Sequence, residues 1–313
     1  MAKKIKKDVR FYDVVLEETD DDGSLVERVA TSDFWTEVFD AIDAITDHNA
    51  RIARINRVRY FGKVSLPRRP AIRHLQVGRV RDLSDHLERT DLGTGEVQPL
   101  RFDNPNERVS EPTFIVPVSG SGRVAILSPG KATRQETIAS WLTRVLDLVP
   151  DGKEIRFRAV VDPDALARII GAQGAVSVEF NMDANQPIPN HDGDLSVFDA
   201  VENLRSVGPS AGTMSVKFAL GYEGTAADRN LIQRMALWVA QGGFARRGEV
   251  GLVLEDEDGN IHRETHKIFE DQIVETVSYE VDEDSESNEE IVLDAVARAI
   301  QDFRGRATVS GLG

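Results

Sequence analysis

Residues 11–30, FYDVVLEETDDDGSLVERVA, contain two short runs of strand-forming residues around a polar turn. Phe11–Leu16 is rich in β-branched and aromatic residues, and Ser24–Ala30 carries similar residues after the turn. Asp21-Asp22-Gly23 between the two runs favours a tight turn, so the stretch predicts a β-hairpin rather than a strand followed by a helix. Two strands that follow one another directly are typical of antiparallel pairing.

Along the rest of the chain, strands follow strands as often as they follow helices. Further hairpins are predicted for Thr113–Val118 with Arg123–Leu127, and for Gly248–Glu255 with Asn260–Ile268. Single strands are predicted at Glu154–Val161, Ala175–Asn181, Thr213–Leu220 and Ile273–Val281; helices are predicted after the caps Ser32, Thr133, Asp162 and Thr225, near Ser196, and over Ile291–Phe303. This order predicts the α+β class, with mixed or antiparallel sheets and flanking helices. The length predicts two domains, residues 1–150 and 151–313.

The composition excludes several classes of protein. The chain has 313 residues and no cysteine, which rules out disulfides, iron–sulfur ligation and a thiol nucleophile. No apolar run approaches the ~20 residues that cross a bilayer, and MAKKIKKD is predicted to be a solvated basic lead-in rather than a signal peptide. A cytoplasmic protein is therefore expected.

Charge is unevenly distributed along the chain. The formal net charge is −15, from 53 acidic and 38 basic residues. Acidic runs at Glu17–Asp22, Glu255–Asp258 and Asp282–Glu290 are predicted to be solvated turns and loops, with the alternative that one of them mimics nucleic acid. Positive charge is concentrated in a basic block, Arg51–Arg81, RIARINRVRYFGKVSLPRRPAIRHLQVGRVR, which contains no Asp or Glu.

The basic block is predicted to contain two strands. Alternation places Arg57, Arg59, Phe61 and Lys63 on one face of the first strand, opposite Val58, Tyr60 and Val64. Arg68 and Arg69 follow on an exposed loop, where two guanidiniums suit phosphate. The predicted DNA contacts are Arg51, Arg54, Arg57, Arg59, Lys63, Arg68, Arg69, Arg73, Arg79 and Arg81, with Arg246 and Arg247 as a secondary pair. The alternatives are a basic face that balances the acidic loops of the chain, or a subunit contact.

Catalytic and ligand-binding motifs are incomplete. Gly120-Ser-Gly122-Arg-Val-Ala125 is followed by a strand instead of the helix that a dinucleotide fingerprint needs, and Gly208–Gly212 lacks the strand–turn–helix context of a nucleophile elbow. His262 and His266 are about 13 Å apart on a strand, too far to share a metal ion. No catalytic residue, metal or cofactor is predicted. The alternative is a metal-dependent nuclease, or another nucleic-acid-processing effector, that uses carboxylates in an unrecognised arrangement.

Three stretches resemble the RexA-type phage-exclusion proteins of temperate phages. They are Pro112–Leu142, with a hydrophobic hairpin and a helix; Glu154–Phe180, with a strand, a short helix and a strand; and Gly248–Gln272, with a strand–turn–strand unit. Together they cover about a quarter of the chain, in the order and with the spacing of that family. The chain departs from the family in being more acidic and in its basic block.

The resemblance implies a two-domain α+β homodimer that binds double-stranded DNA with little sequence preference. It also implies a role in prophage-encoded, abortive exclusion of other phages, beside a small membrane partner of the RexB type. A distant similarity of the family to the RdgC recombination-associated DNA-binding proteins favours the same function. No catalytic motif transfers from the family, so the assignment of DNA contacts to the basic block rests on charge.

Overall fold

The computed structural model describes residues 3–19, 25–81, 87–91, 93–102, 104, 107–129, 133–183, 203, 213–221, 224–242, 245–256, 259–268, 273–281 and 288–309. Its strands are β1 (Lys3–Thr19), β2 (Leu25–Val29), β3 (Ile52–Ile55), β4 (Val58–Ser65), β5 (His74–Val80), β6 (Glu88–Thr90), β7 (Val97–Pro99), β8 (Ser110–Pro117), β9 (Val124–Leu127), β10 (Lys153–Ala159), β11 (Ala175–Asp183), β12 (Thr213–Ala219), β13 (Ala245–Glu255), β14 (Ile261–Lys267) and β15 (Val274–Val281). Its α-helices are α1 (Phe34–Ala44), α2 (Gln135–Val145), α3 (Pro163–Gly171), α4 (Ala226–Gly242) and α5 (Asn288–Val309). The predicted α+β class is confirmed.

A nine-stranded antiparallel sheet, in the described part of the chain, is built around β1. Along one edge of β1, β15 pairs with the first half and β10 with the second half. Along the other edge, β9 pairs with Val9–Tyr12 and β2 with residues 15–19, which confirms the predicted first hairpin. MAKKIKKD was predicted to be a solvated lead-in, but from Lys3 onward it is part of β1, because β15 supplies a hydrogen-bonding partner more than 260 residues away.

The sheet continues from β9 through β8, β5 and β4 to β3. Alternate residues face two separate cores, as the two-residue period of a strand requires. The face that contains Tyr12 packs against α1 and α2, whereas the face that contains Phe11 packs against α5. On the α5 face, the Phe303 ring stacks on Phe11 with 4.2 Å between centroids.

A second sheet, with the order β12-β11-β13-β14 among the described strands, packs one face against α3 and α4. The predicted boundary near residue 150 does not follow the division between the sheets. β10, β15 and α5 all lie beyond residue 150, yet they belong to the large sheet and its cores. None of the helices in the described residues is both long and apolar enough to cross a membrane.

Most predicted elements are present, with differences at their ends. The capping box of α4 is confirmed, since the Thr225 and Asp228 side chains and backbone N–H groups bond reciprocally. The predicted caps of α1 and α2 are wrong: the N-cap positions are Asp33 and Arg134, and neither side chain makes a capping hydrogen bond. The predicted helix near Ser196 lies outside the described residues.

The contact between β4 and α2 gives a test of the packing. A Cβ at Gly62 would lie 2.2 Å from two ring carbons of Trp141, which is fully buried and donates from Nε1 to the Arg51 carbonyl oxygen at 3.1 Å. We expect Gly62→Ala to lower the free energy of unfolding by about 1–3 kcal/mol, because the buried Trp141 ring cannot move away from the added methyl group without disturbing its own packing. Denaturant unfolding measures the change.

The control is Gly305→Ala on α5, where an added Cβ meets nothing within 4 Å. Alanine there is expected to raise the free energy of unfolding by up to about 1 kcal/mol, because it favours the helix over glycine. Equal stabilities for Gly62→Ala and the wild type would contradict the packing of Trp141 on β4.

Candidate nucleic-acid interface

The basic block folds into three strands, β3, β4 and β5, instead of the two predicted. A two-residue turn joins β3 to β4, and both of its residues, Asn56 and Arg57, have left-handed backbones with φ of 50° and 67°. Such turns match the twist of an antiparallel hairpin. Arg57 is therefore exposed at the tip of the hairpin, and its predicted place on a strand face is wrong. The β-branched neighbours concealed the turn, which has asparagine but no glycine.

The predicted alternation of β4 is confirmed from residue 58 onward. Tyr60 and Gly62 are buried against α1 and α2, whereas Arg59, Phe61 and Lys63 lie on the opposite face. That face of β3, β4 and β5, together with the hairpin tip and the Arg68-Arg69 loop, is called the cationic face below.

Arg54 and Arg59 lie directly opposite each other on β3 and β4. Side chains in such a pair have Cβ atoms about 4.5–5.5 Å apart, and like charges at that separation destabilise a sheet. The three strands themselves supply no negative charge, since residues 52–80 contain no acidic residue. Two guanidiniums this close together attract an anion more strongly than one does.

The loop after β4 carries Arg68 and Arg69, and both residues are exposed. Among the described residues, neither side chain forms an ion pair, and the same holds for Arg54 and Arg57. Because β4 rises ~3.3 Å per residue, the hairpin tip and this loop lie at opposite ends of a track of about 23 Å. A DNA duplex presents a phosphate charge about every 1.7 Å along its axis, so the track would run beside on the order of a dozen phosphates.

Three of the predicted contacts point away from the face that contains Arg59. Arg79 lies opposite Tyr60, on the face that packs against α1 and α2. Arg73 forms salt bridges of 2.8 Å with both Asp40 and Asp43 of α1, and Arg81 forms one of 2.8 Å with Glu111. The three arginines lie an even number of residues apart and were predicted to share a face, as they do. The register of β5 against β4 places that face on the other side of the sheet from Arg59.

Arg51 contacts the end of α1, and the secondary pair lies in the second sheet. The Arg51 guanidinium donates to the carbonyl oxygen of Ile45, at 2.7 Å from Nη2 and 3.1 Å from Nε. It therefore caps the C-terminus of α1, where carbonyl groups lack helical partners. Arg246 and Arg247 lie on β13 of the second sheet, and their side chains lie outside the described residues.

The sequence-based prediction missed a cluster at the end of the cationic face that lies next to the Arg68-Arg69 loop. Ser65 Oγ donates to Glu289 Oε1 at 2.7 Å, and His74 Nε2 lies 3.2 Å from the same oxygen. His74 is fully buried, with Nδ1 3.0 Å from the carbonyl oxygen of Ile72. Burial lowers the pKa of His74, despite that hydrogen bond and the Glu289 charge. Glu289 comes from a distant helix, so sequence spacing carried no signal for this cluster.

A second titratable cluster lies on β1. Glu17 is 4% exposed, although its run was predicted to be solvated, and it lies opposite Glu27 of β2 and Glu154 of β10. Burial raises the pKa of Glu17 to about 7; Arg156, with Nε 2.6 Å from Glu17 Oε2, opposes the rise, and the two glutamates add to it. No group of three or more His, Asp or Glu in the described residues is placed to hold a metal ion.

The predicted turn and strand contexts of the rejected motifs are present where they are described. Gly120–Gly122 forms the turn between β8 and β9, and His262 and His266 lie on β14. His262 is exposed, as expected for a solvent-facing strand, whereas His266 is buried. Gly208–Gly212 lies outside the described residues. No protein-family model matches this chain, and no curated protein matches it significantly.

Glu17 provides a pH test of the β1 cluster. A folded-state pKa raised above the unfolded value of about 4.5 means that the folded protein binds the proton more tightly. The free energy of unfolding should therefore fall as pH rises from about 4.5 to 7 and level off above that. We expect Glu17→Gln to remove this fall, which makes the variant more stable than the wild type by about 1–3 kcal/mol at pH 8.

Denaturant unfolding at several pH values measures the difference, and Glu18→Gln, on the other face of β1, is the control. The same pH dependence in Glu17→Gln and in the wild type would contradict the burial of a raised-pKa carboxyl.

Proposed function

We propose that this chain is a non-enzymatic protein that binds double-stranded DNA through the cationic face, with little preference for sequence. The observation that carries the proposal is the opposed pair Arg54 and Arg59 on a face whose three strands contain no acidic residue. Arg57 at one end and Arg68 with Arg69 at the other extend the positive charge along β4. A linear array of cations matches the linear array of phosphates on a duplex.

The chemistry of the face favours backbone contacts over base readout. Arginine forks bind phosphate oxygens in pairs, and such contacts fix position without reading sequence. The face belongs to a broad sheet, and Phe61 is the aromatic residue on this part of β4, so it offers no platform for a series of stacked bases. Affinity should therefore be mostly electrostatic and depend steeply on salt.

The biological role that we propose rests on the resemblance to RexA-type proteins. Under that proposal the protein acts in the cytoplasm as a homodimer, in prophage-encoded exclusion of other phages and beside a small membrane protein of the RexB type. The elements in the three resembling stretches are a hairpin with a helix, a strand–helix–strand unit and a strand–turn–strand unit. They agree with the elements expected for those stretches from sequence.

The double variant Arg54→Gln, Arg59→Gln tests the site. We expect its affinity for unrelated duplexes to fall about 10- to 100-fold at low salt, because two phosphate contacts are lost. The slope of log affinity against log salt should decrease in magnitude by about 1.8, since each contact contributes ~0.9. Fluorescence anisotropy with two duplexes of different sequence, over a range of salt concentrations, measures both.

The matched control is Arg73→Gln, Arg81→Gln, which removes two charges from the same basic block but on the opposite face. Its affinity should change less than about threefold, while its free energy of unfolding falls by up to ~1 kcal/mol for each ion pair. Equal losses of affinity in the two double variants would refute the cationic face as the site. Cleavage of the duplex with Mg²⁺, abolished by chelator, would favour the nuclease alternative.

A further inference from the structure

Four polar side chains of β4 and β5 form a square on the cationic face. Lys63 lies opposite Gln76, and Ser65 lies opposite His74, so all four project to the same side of the sheet. Neighbours in such a square are about 5 Å apart across the strands and about 7 Å apart along them. The square combines ammonium, amide and hydroxyl donors, which bind an oxyanion, with an imidazole. Because His74 Nδ1 faces the Ile72 carbonyl, its Nε2 donates to an oxyanion only when the ring is protonated.

In the structure this donor square holds a carboxylate. Glu289, in the first turn of α5, accepts a 2.7 Å hydrogen bond from Ser65, and its Oε1 lies 3.2 Å from His74 Nε2. Gln76 and Lys63 complete its surroundings: Gln76 hydrogen-bonds the carboxylate, and Lys63 acts on it through its charge.

The surroundings favour negative charge at this point. Burial by itself would raise the pKa of Glu289, but the hydrogen bonds from Ser65 and Gln76 lower it overall, together with the charge of Lys63 and that of His74 when its ring is protonated. His74 is fully buried, so the packing of the sheet fixes the position of one of the four side chains. The site is therefore preorganised for an anionic oxygen, whichever molecule supplies it.

The position of the square matters because it interrupts the track of positive charge. Arg59 lies two β4 positions beyond Phe61 on one side, and the loop with Arg68 and Arg69 begins just after Ser65 on the other. A duplex that follows β4 would place a phosphate over the square. Among the described contacts, Glu289 is the acidic side chain that reaches this face. A phosphate could bind over the square only after Glu289 had left it.

We propose that the square of Lys63, Ser65, His74 and Gln76 is a binding site for a DNA backbone phosphate, and that Glu289 occupies it in the free protein as an intramolecular competitor. The proposal rests on the proposed function and adds its regulation. One alternative for the acidic runs was that one of them mimics nucleic acid. The proposal assigns that mimicry to a single residue, Glu289, near the end of the run Asp282–Glu290. The competitor is tethered, so its effective concentration is high, and DNA displaces it through contacts along the rest of the track.

Displacement requires the first turn of α5 to move while the rest of the helix stays. Several contacts hold the far end of α5. Among them, the Phe303 ring stacks on Phe11, and Arg306 Nη2 lies 2.8 Å from Glu275 Oε1. The stack has 4.2 Å between ring centroids. The core beneath α5 would therefore survive release of Glu289.

Glu289→Gln tests the competition, and Glu290→Gln is the matched control. Glutamine keeps an oxygen that accepts from Ser65 but removes the charge, so the variant should fold. We expect Glu289→Gln to raise the affinity for duplex DNA about 3- to 30-fold and to steepen the salt slope by about 0.9, as one more phosphate is bound. Glu290 lies in the same turn and makes no ion pair with a described residue, so its variant should change affinity less than about twofold.

Adding Lys63→Gln to Glu289→Gln should abolish most of the gain. An equal gain from Glu289→Gln and Glu290→Gln would show a general charge effect and overturn the proposal, as would no gain from Glu289→Gln in a protein that binds DNA.

A second readout separates this proposal from the proposed function. The imidazole resonances of His74 are followed by NMR during titration with inorganic phosphate. We expect millimolar phosphate to shift these resonances in Glu289→Gln. We expect no shift in the wild type or in the variant that also carries Lys63→Gln. If no form binds DNA yet phosphate shifts His74 in Glu289→Gln, the phosphate site stands and the proposed function fails. Absence of that shift in Glu289→Gln overturns the site.

Discussion

Strand β1 is the constraint on which the rest of the large sheet depends. Its 17 residues exceed the length of any one partner, and four strands pair along its two edges. Three of those partners, β9, β10 and β15, come from residues beyond 120, so the sheet closes only when distant parts of the chain meet. Pairing between such distant segments must overcome the entropy of closing long loops, which makes folding of the sheet a cooperative event.

The cationic face exists because β3 and β4 continue this sheet beyond the area that α5 covers. One face of these strands is stabilised by burial of Tyr60 and Gly62 against α1 and α2. That burial holds the strands in place, and the alternation of β3 and β4 then leaves Arg54 and Arg59 together on the other face.

Sequence reasoning predicted the hairpins well, because alternation and turn residues are local signals. Thr113–Leu127 and Gly248–Ile268 contain glycine at their turns and fold as predicted. Helix caps were less predictable: Ser32 and Thr133 have the right residue type, yet the helices begin further on. The hairpin tip at Asn56 and Arg57 was missed, since its sequence differs little from that of the strands on either side.

For the candidate site, the sequence by itself determined the concentration of positive charge in residues 51–81 and the two faces of β4, because both depend only on composition and on the period of a strand. Only the tertiary structure decided which of those charges share a surface. The register of β5 against β4 turned Arg73, Arg79 and Arg81 towards α1 and Glu111, and the docking of α5 brought Glu289 onto Ser65 and His74. Register and docking follow from contacts between residues up to 224 positions apart, for which no local pattern exists.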